Sequence, residues 1–208
     1  MIDKKKIIII NSGLGNINSL INCVDSLQFN YKVIEAPNEN EEFDKIIFPG
    51  VGSYNFVMKS IIKKKWGLFI KKNILEKNKH YLGICIGMQI LSNYGYENEE
   101  THGLGIIDSE VKILNSDDKD LKIPHVGWND VEKVNDSEIF DGIKNNSDFY
   151  FDHSYVMKLK NASEITTQTE YEKKFVSSVK KNNVYGVQFH PEKSADNGKK
   201  ILYNFLRL

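Results

Sequence analysis

Arginine is nearly missing from this chain. Arg207 is the only one, and lysine supplies the rest of the positive charge. Bidentate arginine contacts to phosphates or guanine edges are therefore almost unavailable. Neither sign of charge is in excess: 28 basic residues face 28 acidic ones, a formal charge of zero. That removes the basic footprint expected of a nucleic-acid binder. Cysteine is scarce, with Cys23 and Cys85 alone. Two thiols do not make a secreted disulfide framework. No Cys-x-x-Cys occurs, and His80, His102, His125, His153 and His190 lie far apart, which argues against a zinc site. Long hydrophobic runs are missing too. The run Ile7 to Ile10 is too short for a signal-peptide core and far too short to span a bilayer. No linker, repeat or low-complexity tract is visible. The expectation is one domain over residues 1–208, cytoplasmic and without metal or cofactor. At 208 residues the chain buries a core without disulfide staples.

What is present reads as an α/β protein. Lys6 to Ile10 is apolar on both faces, as strands of a covered parallel sheet are. Asn16 to Leu27 sets Ile17, Leu20, Ile21, Val24 and Leu27 at helical spacing. Strands are predicted over Tyr31 to Ile34, Lys45 to Phe48 and Tyr81 to Ile84. Helices are predicted over Phe56 to Leu75 and Ile86 to Leu91. Later segments are richer in β-branched and aromatic residues: Gly105 to Leu114, Phe149 to Val156, Ile165 to Thr169, Phe175 to Val179 and Val184 to Phe189. They read as hairpins continuing the sheet, with a closing helix over Lys199 to Leu206. The expected fold is a mainly parallel central sheet flanked by helices, with antiparallel additions. Cys23 falls on the apolar face of the first helix and reads as packing. The runs Lys63 to Lys65 and Lys71 to Lys72 read as a solvated helix face, with Trp66 packing that helix onto the sheet.

Three segments carry chemistry. Gly83-Ile84-Cys85-Ile86-Gly87-Met88-Gln89 sits where a strand meets a helix. A tight strand-to-helix turn needs small residues two before and two after the central one. It lifts that side chain clear of the sheet, and a helix N-terminus favours the thiolate. By itself the motif also fits a small buried cysteine in a tight turn. The second segment runs Gln188-Phe189-His190-Pro191-Glu192-Lys193-Ser194. In an extended chain His190 and Glu192 point to one side, so the carboxylate is placed to orient the imidazole. Alone, it reads more readily as a surface turn; beside a cysteine elbow it gains weight. The third is Pro49-Gly50-Val51-Gly52-Ser53 after a strand, where backbone N–H groups are free to face an anion. Gly13-Leu14-Gly15 lacks the third glycine of a dinucleotide site, since position 18 is Asn.

Together these segments resemble the class I, triad-type glutamine amidotransferases. Pro124-His125-Val126-Gly127-Trp128-Asn129 and Phe149 through Tyr155 are similar to one branch, the glutaminase subunits of imidazole glycerol phosphate synthase. The resemblance implies that Cys85 attacks the glutamine carboxamide, with His190 as base and acid and Glu192 orienting it. It implies oxyanion donors at Ile86 and in the Val51–Gly52 loop. It places Gly50, Gln89, Glu97, Ser154 and Tyr155 around L-glutamine. It implies a heterodimer with a HisF-type (β/α)8-barrel cyclase, contacted through Asn16, Ser19, Trp128, Tyr150 and Lys193. That partner uses the ammonia to make imidazole glycerol phosphate in histidine biosynthesis. His125 and His153 are then expected as core or interface histidines, because His190 fills the basic role.

Two positions depart from the branch pattern. Asn11-Ser12-Gly13 stands where Asp-Tyr-Gly is common, and Asp152 where valine is common. Both leave the catalytic set intact and bear on which partner is served. An alternative is therefore a paralogue supplying ammonia for surface-sugar amination. A rival of another class is a non-catalytic binding subunit that keeps the fold.

Overall fold

The computed structural model describes residues 6–114 and 122–208. The strands, in chain order, are β1 (Ile7–Ile10), β2 (Tyr31–Ile34), β3 (Lys45–Phe48), β4 (His80–Ile84), β5 (Tyr94–Gly95), β6 (Thr101–His102), β7 (Ser109–Ile113), β8 (His125–Lys133), β9 (Ser147–His153), β10 (Tyr155–Leu159), β11 (Ile165–Tyr171), β12 (Lys173–Lys181) and β13 (Val184–Val187). The helices are α1 (Asn18–Ser26), α2 (Tyr54–Lys63), α3 (Trp66–Lys71), α4 (Ile86–Gln89) and α5 (Ala195–Arg207).

One sheet runs β2-β1-β3-β4-β13-β12-β11-β8-β9 and a smaller one β10-β7-β5-β6. The first five strands of the large sheet are parallel, and the other four join antiparallel. The expected α/β class and the mix of parallel and antiparallel strands are both observed. Helices cover two faces, so the inner parallel strands are almost wholly buried and largely apolar, while the edge strand β2 is interrupted by exposed Lys32. Ile7, Ile8, Ile9 and Ile10 are all buried, their side chains divided between the two cores on opposite sides of the sheet. No described helix is long and apolar enough to cross a membrane.

Several boundaries differ from the sequence reading. The helix expected over Phe56 to Leu75 is three pieces: α2, α3 and a π-helical turn over Lys72–Glu76. Lys65 takes a left-handed conformation (φ 61°), and the resulting turn lets Trp66 bury completely. The strand expected over Gly105 to Leu114 shrinks to β7, with a loop before it. The strand expected over Phe149 to Val156 breaks at Ser154, where the chain passes from the large sheet to the small one. Strand β8 has no counterpart in the sequence reading. Its apolar residues Val126 and Trp128 are exposed while His125 is buried, the reverse of the usual alternation. Lys45, inside β3, is fully buried and donates from Nζ to the Leu206 carbonyl.

Candidate active site

The site forms where three adjacent parallel strands end. Register pairs Phe48 with Gly83, and Ile84 with Val187. The segments just beyond β3, β4 and β13 therefore emerge side by side. They carry Pro49–Gly52, Cys85, and Gln188–Glu192. In open parallel sheets ligands bind beyond the carboxyl ends of the strands.

Cys85 sits at a sharp elbow between β4 and α4, with φ 54° and ψ −109°. Two glycines permit the turn. A Cβ on Gly83 would lie 2.2 Å from the Gly87 carbonyl oxygen, and one on Gly87 would lie 2.1 Å from the Phe48 carbonyl oxygen. The Tyr81 hydroxyl donates to the Gly87 carbonyl at 2.8 Å and anchors the elbow from below. The helix is a single turn, shorter than the expected Ile86 to Leu91, so any help its dipole gives a thiolate is small.

The Cys85 sulfur lies 3.6 Å from Gln188 Nε2 and 3.9 Å from the Asp152 carbonyl oxygen. His190 Nδ1 and Glu192 Oε1 are 2.8 Å apart. The His190 backbone N–H donates to the Tyr150 carbonyl at 2.8 Å, which fixes the start of this segment. His190 Nε2 is buried without a hydrogen-bond partner among the described residues. Its contact with Cys85 falls outside hydrogen-bond geometry, yet the two groups are electrostatically coupled. Burial pulls the His190 pKa down; attraction to Cys85, then to Glu192, outweighs it and raises it to about 10.

A cavity of about 280 Å³ opens at the elbow. Val51, Gly52, Cys85, Ile86, Gln89, Glu97, Ser154 and Tyr155 line it, with Pro124, Asp152 and His153. Eight residues expected at the catalytic centre, oxyanion hole or substrate pocket thus share one cavity, while His190 and Glu192 lie outside its lining. Gly50 lies just behind, where a Cβ would press 2.8 Å from Ile86 Cγ2. Gln89 is buried and donates from Nε2 to the Tyr155 carbonyl and to Gln188 Oε1, both at 2.9 Å. Glu97 accepts from the Tyr54 N–H at 2.7 Å, so one of its oxygens caps α2.

One expected feature is not in place. The Val51 N–H donates to the Leu14 carbonyl at 3.3 Å, and so is not free for an oxyanion in this conformation. Trp128, Tyr150 and Lys193 gather on one surface, with the Tyr150 ring 6.2 Å from Trp128 and 5.3 Å from Lys193 Nζ. Asn16 and Ser19 are exposed at the start of α1. Sequence reading assigned no role to Gln188, although it lies inside the quoted motif. Only the β4–β13 register puts it beside Cys85. Among the described residues no cluster of three His, Cys, Asp or Glu could hold a metal.

Fold and site define a class: α/β domains with a cysteine elbow at one parallel strand end and a His–Glu pair beyond the next. The family model described as glutamine amidotransferase class-I matches residues 8–208. The chain is 38% identical over 202 residues to imidazole glycerol phosphate synthase subunit HisH 1 of Campylobacter jejuni, covering 97% of this chain and 100% of that one. It is 39% identical over 205 residues to subunit HisH of Pelagibacter ubique, covering 96% and 98%. The solved structure of PurLQS from Thermotoga maritima superposes with a TM-score of 0.75 at 18% identity, covering 99% of both chains, which supports the fold. The chain belongs to the class-I glutamine amidotransferase family, in its HisH branch.

Proposed function

We propose that this chain is the glutaminase subunit of an imidazole glycerol phosphate synthase. The observation that supports the chemistry is the β4–β13 register, with Cys85 on the cavity wall and the His190–Glu192 pair, which begins three residues beyond β13, close enough to interact with its thiol. Cys85 Sγ, as thiolate, attacks the carboxamide carbon of glutamine. The tetrahedral oxyanion forms near the Ile86 N–H. His190, held by Glu192, gives its proton to the leaving nitrogen, the C–N bond breaks, and ammonia departs. Water activated by His190 then hydrolyses the thioester to glutamate and frees the thiolate. Glu97 and the 153–155 turn meet the amino-acid end of the substrate. For the Val51–Gly52 loop to supply a second oxyanion donor, the Val51–Leu14 bond must open. Glycines on both sides of Val51, with Gly52 already at φ 129°, make such a rearrangement inexpensive.

Ammonia in bulk water at neutral pH is mostly protonated and not a nucleophile, so a dry route to the acceptor is needed. We place that route in a HisF-type barrel subunit docked over Asn16, Ser19, Trp128, Tyr150 and Lys193. The relatives described above are named as subunits of imidazole glycerol phosphate synthase, which favours histidine biosynthesis over surface-sugar amination. The test is glutamine hydrolysis with and without the barrel subunit, alongside growth of a histidine auxotroph lacking this gene. Stimulated hydrolysis and restored growth are expected. Hydrolysis without restored growth would move the chain to another acceptor pathway, and Cys85→Ala is expected to abolish hydrolysis.

A further inference from the structure

Beneath the cavity lies a run of hydrogen bonds that the triad does not use. The Tyr155 carbonyl carries no proton, so His153 Nδ1 donates to it, at 3.1 Å. Neutral His153 then accepts at Nε2, and His125 Nδ1 donates there at 3.1 Å. His125 in turn accepts at Nε2 from the Asn129 amide at 3.3 Å. One fixed carbonyl thus sets both tautomers and every direction. Asn129 is itself anchored, donating to the Glu170 carbonyl at 2.9 Å and accepting from the Asp130 N–H at 2.9 Å. From the other side Gln89 donates to the same Tyr155 carbonyl and to Gln188, which donates to Cys85. Because Tyr155 accepts from both sides, no proton can travel the whole run. Its chemistry suits positioning.

The surroundings hold the run rigid. His125 and His153 are both buried, and the His125 ring stacks on Tyr171 at 4.0 Å and Phe151 at 4.9 Å. Asn129 is half-buried and adjoins the exposed Trp128 on β8. The run therefore starts on an exposed strand and ends at the cysteine.

We propose that Asn129, His125 and His153 form a buried positioning relay. It fixes the Tyr155 carbonyl and the Gln89 carboxamide beside Cys85, and so ties the Trp128 strand to the glutamine cavity. The inference rests on the glutaminase reading. Asn129→Asp tests it most sharply, because a carboxylate cannot donate. At a pH high enough to keep His125 neutral, its proton then sits on Nε2, His153 donates from Nε2, and a lone pair on His153 Nδ1 faces the Tyr155 carbonyl. His125→Phe cuts the run while keeping the ring stacking, and His125→Asn keeps a donor close to the Nδ1 position.

The experiment uses the complex with the barrel subunit, measuring kcat/KM for glutamine, partner affinity, and imidazole nitrogen NMR shifts. Misplaced groups near a reacting centre cost on the order of 10-fold or more. Asn129→Asp and His125→Phe are expected to lower kcat/KM by about that factor at saturating partner, with partner affinity unchanged. His125→Asn should recover most of the loss, and Asn129→Asp should swap the protonated nitrogen of both rings. Should His125→Phe fail to fold, the half-buried Asn129→Asp carries the test alone. Wild-type kcat/KM at saturating partner in Asn129→Asp, or neutral rings that stay unswapped at a pH where no imidazolium signal is seen, overturns the relay. A parent complex that hydrolyses no glutamine overturns the glutaminase reading instead.

Discussion

Cys85 is held where few non-glycine residues go, at φ 54° and ψ −109°. Such a conformation persists because its neighbours fit it closely. Gly83→Ala would drive a Cβ to 2.2 Å from backbone that has nowhere to move. Its expected cost is on the order of 1–3 kcal/mol or more, read as a lower melting temperature with loss of hydrolysis. A variant melting with the parent would show the elbow to be looser than described. At this scale the grouping of Cys85, His190 and Glu192 was legible because its spacing is local, but its geometry was only partly so. Gly-x-Cys-x-Gly is one turn as expected, whereas His190 and Glu192, expected on an extended chain, meet across a 3-10 helical turn over Pro191–Lys193. Gln188 beside Cys85 was not legible, since strand register decides it. Neither was the Val51 N–H held by Leu14, because which carbonyl a loop N–H meets depends on folds of the chain far apart in sequence. Lys45 is the opposite surprise, a lysine inside a strand that the sheet buries whole.

Elements explain why the site has the parts it has. The break between β9 and β10 at Ser154 turns the chain from one sheet to the other, and that turn forms one wall of the cavity. A polar run, Asp152-His153-Ser154, sits at the break and the buried positions shift phase across it, but short polar interruptions also occur inside strands, so the run alone does not separate two strands from one. Strand β8 escaped for the reason given by its exposed Trp128: residues that suit a surface contact spoil the pattern of a strand. The inner parallel strands were legible because burial on both faces leaves short, largely apolar runs, most plainly Ile7 to Ile10. Glu97 links two elements, reaching from the segment after β5 to cap α2. Removing an N-terminal acceptor costs typically about 1 kcal/mol. Glu97→Ala is therefore expected to melt earlier, while Glu97→Gln keeps an acceptor oxygen and melts with the parent. If both raise KM for glutamine, the charge serves the substrate ammonium. An unaltered melt for Glu97→Ala would remove the capping role.

The whole molecule carries no formal net charge at neutral pH, and three buried histidines contribute to its response to pH alongside its ion-paired carboxylates. Burial pushes the pKa of His125 down to about 4, and burial with the charges of His125 and His190 pushes that of His153 down to about 3. Both values lie below the unfolded value of 6.5. The unfolded chain binds protons first as pH falls, so this contribution is full above about 6.5 and drains away toward pH 3–4. His190 has the opposite sign. Its pKa is raised to about 10, so its contribution is full below 6.5 and lost as pH climbs through 10. Between pH 4.5 and 6.5 the His125–His153 pair contributes a slope of this sign. Thermal melts are expected to fall across that window, and less steeply in His125→Phe. Equal slopes in the two proteins would contradict the neutral buried pair. The sequence showed two separated histidines; only the pairing of β8 with β9 brings His125 opposite His153.

The most direct measurement is mass spectrometry after treating the assembled complex with an electrophilic glutamine analogue. One adduct is expected on the peptide containing Cys85, blocked by excess glutamine and absent from Cys85→Ala, with buried Cys23 untouched. An adduct on Cys23 instead, or glutamine hydrolysis that survives Cys85→Ala, would contradict a Cys85-based glutaminase.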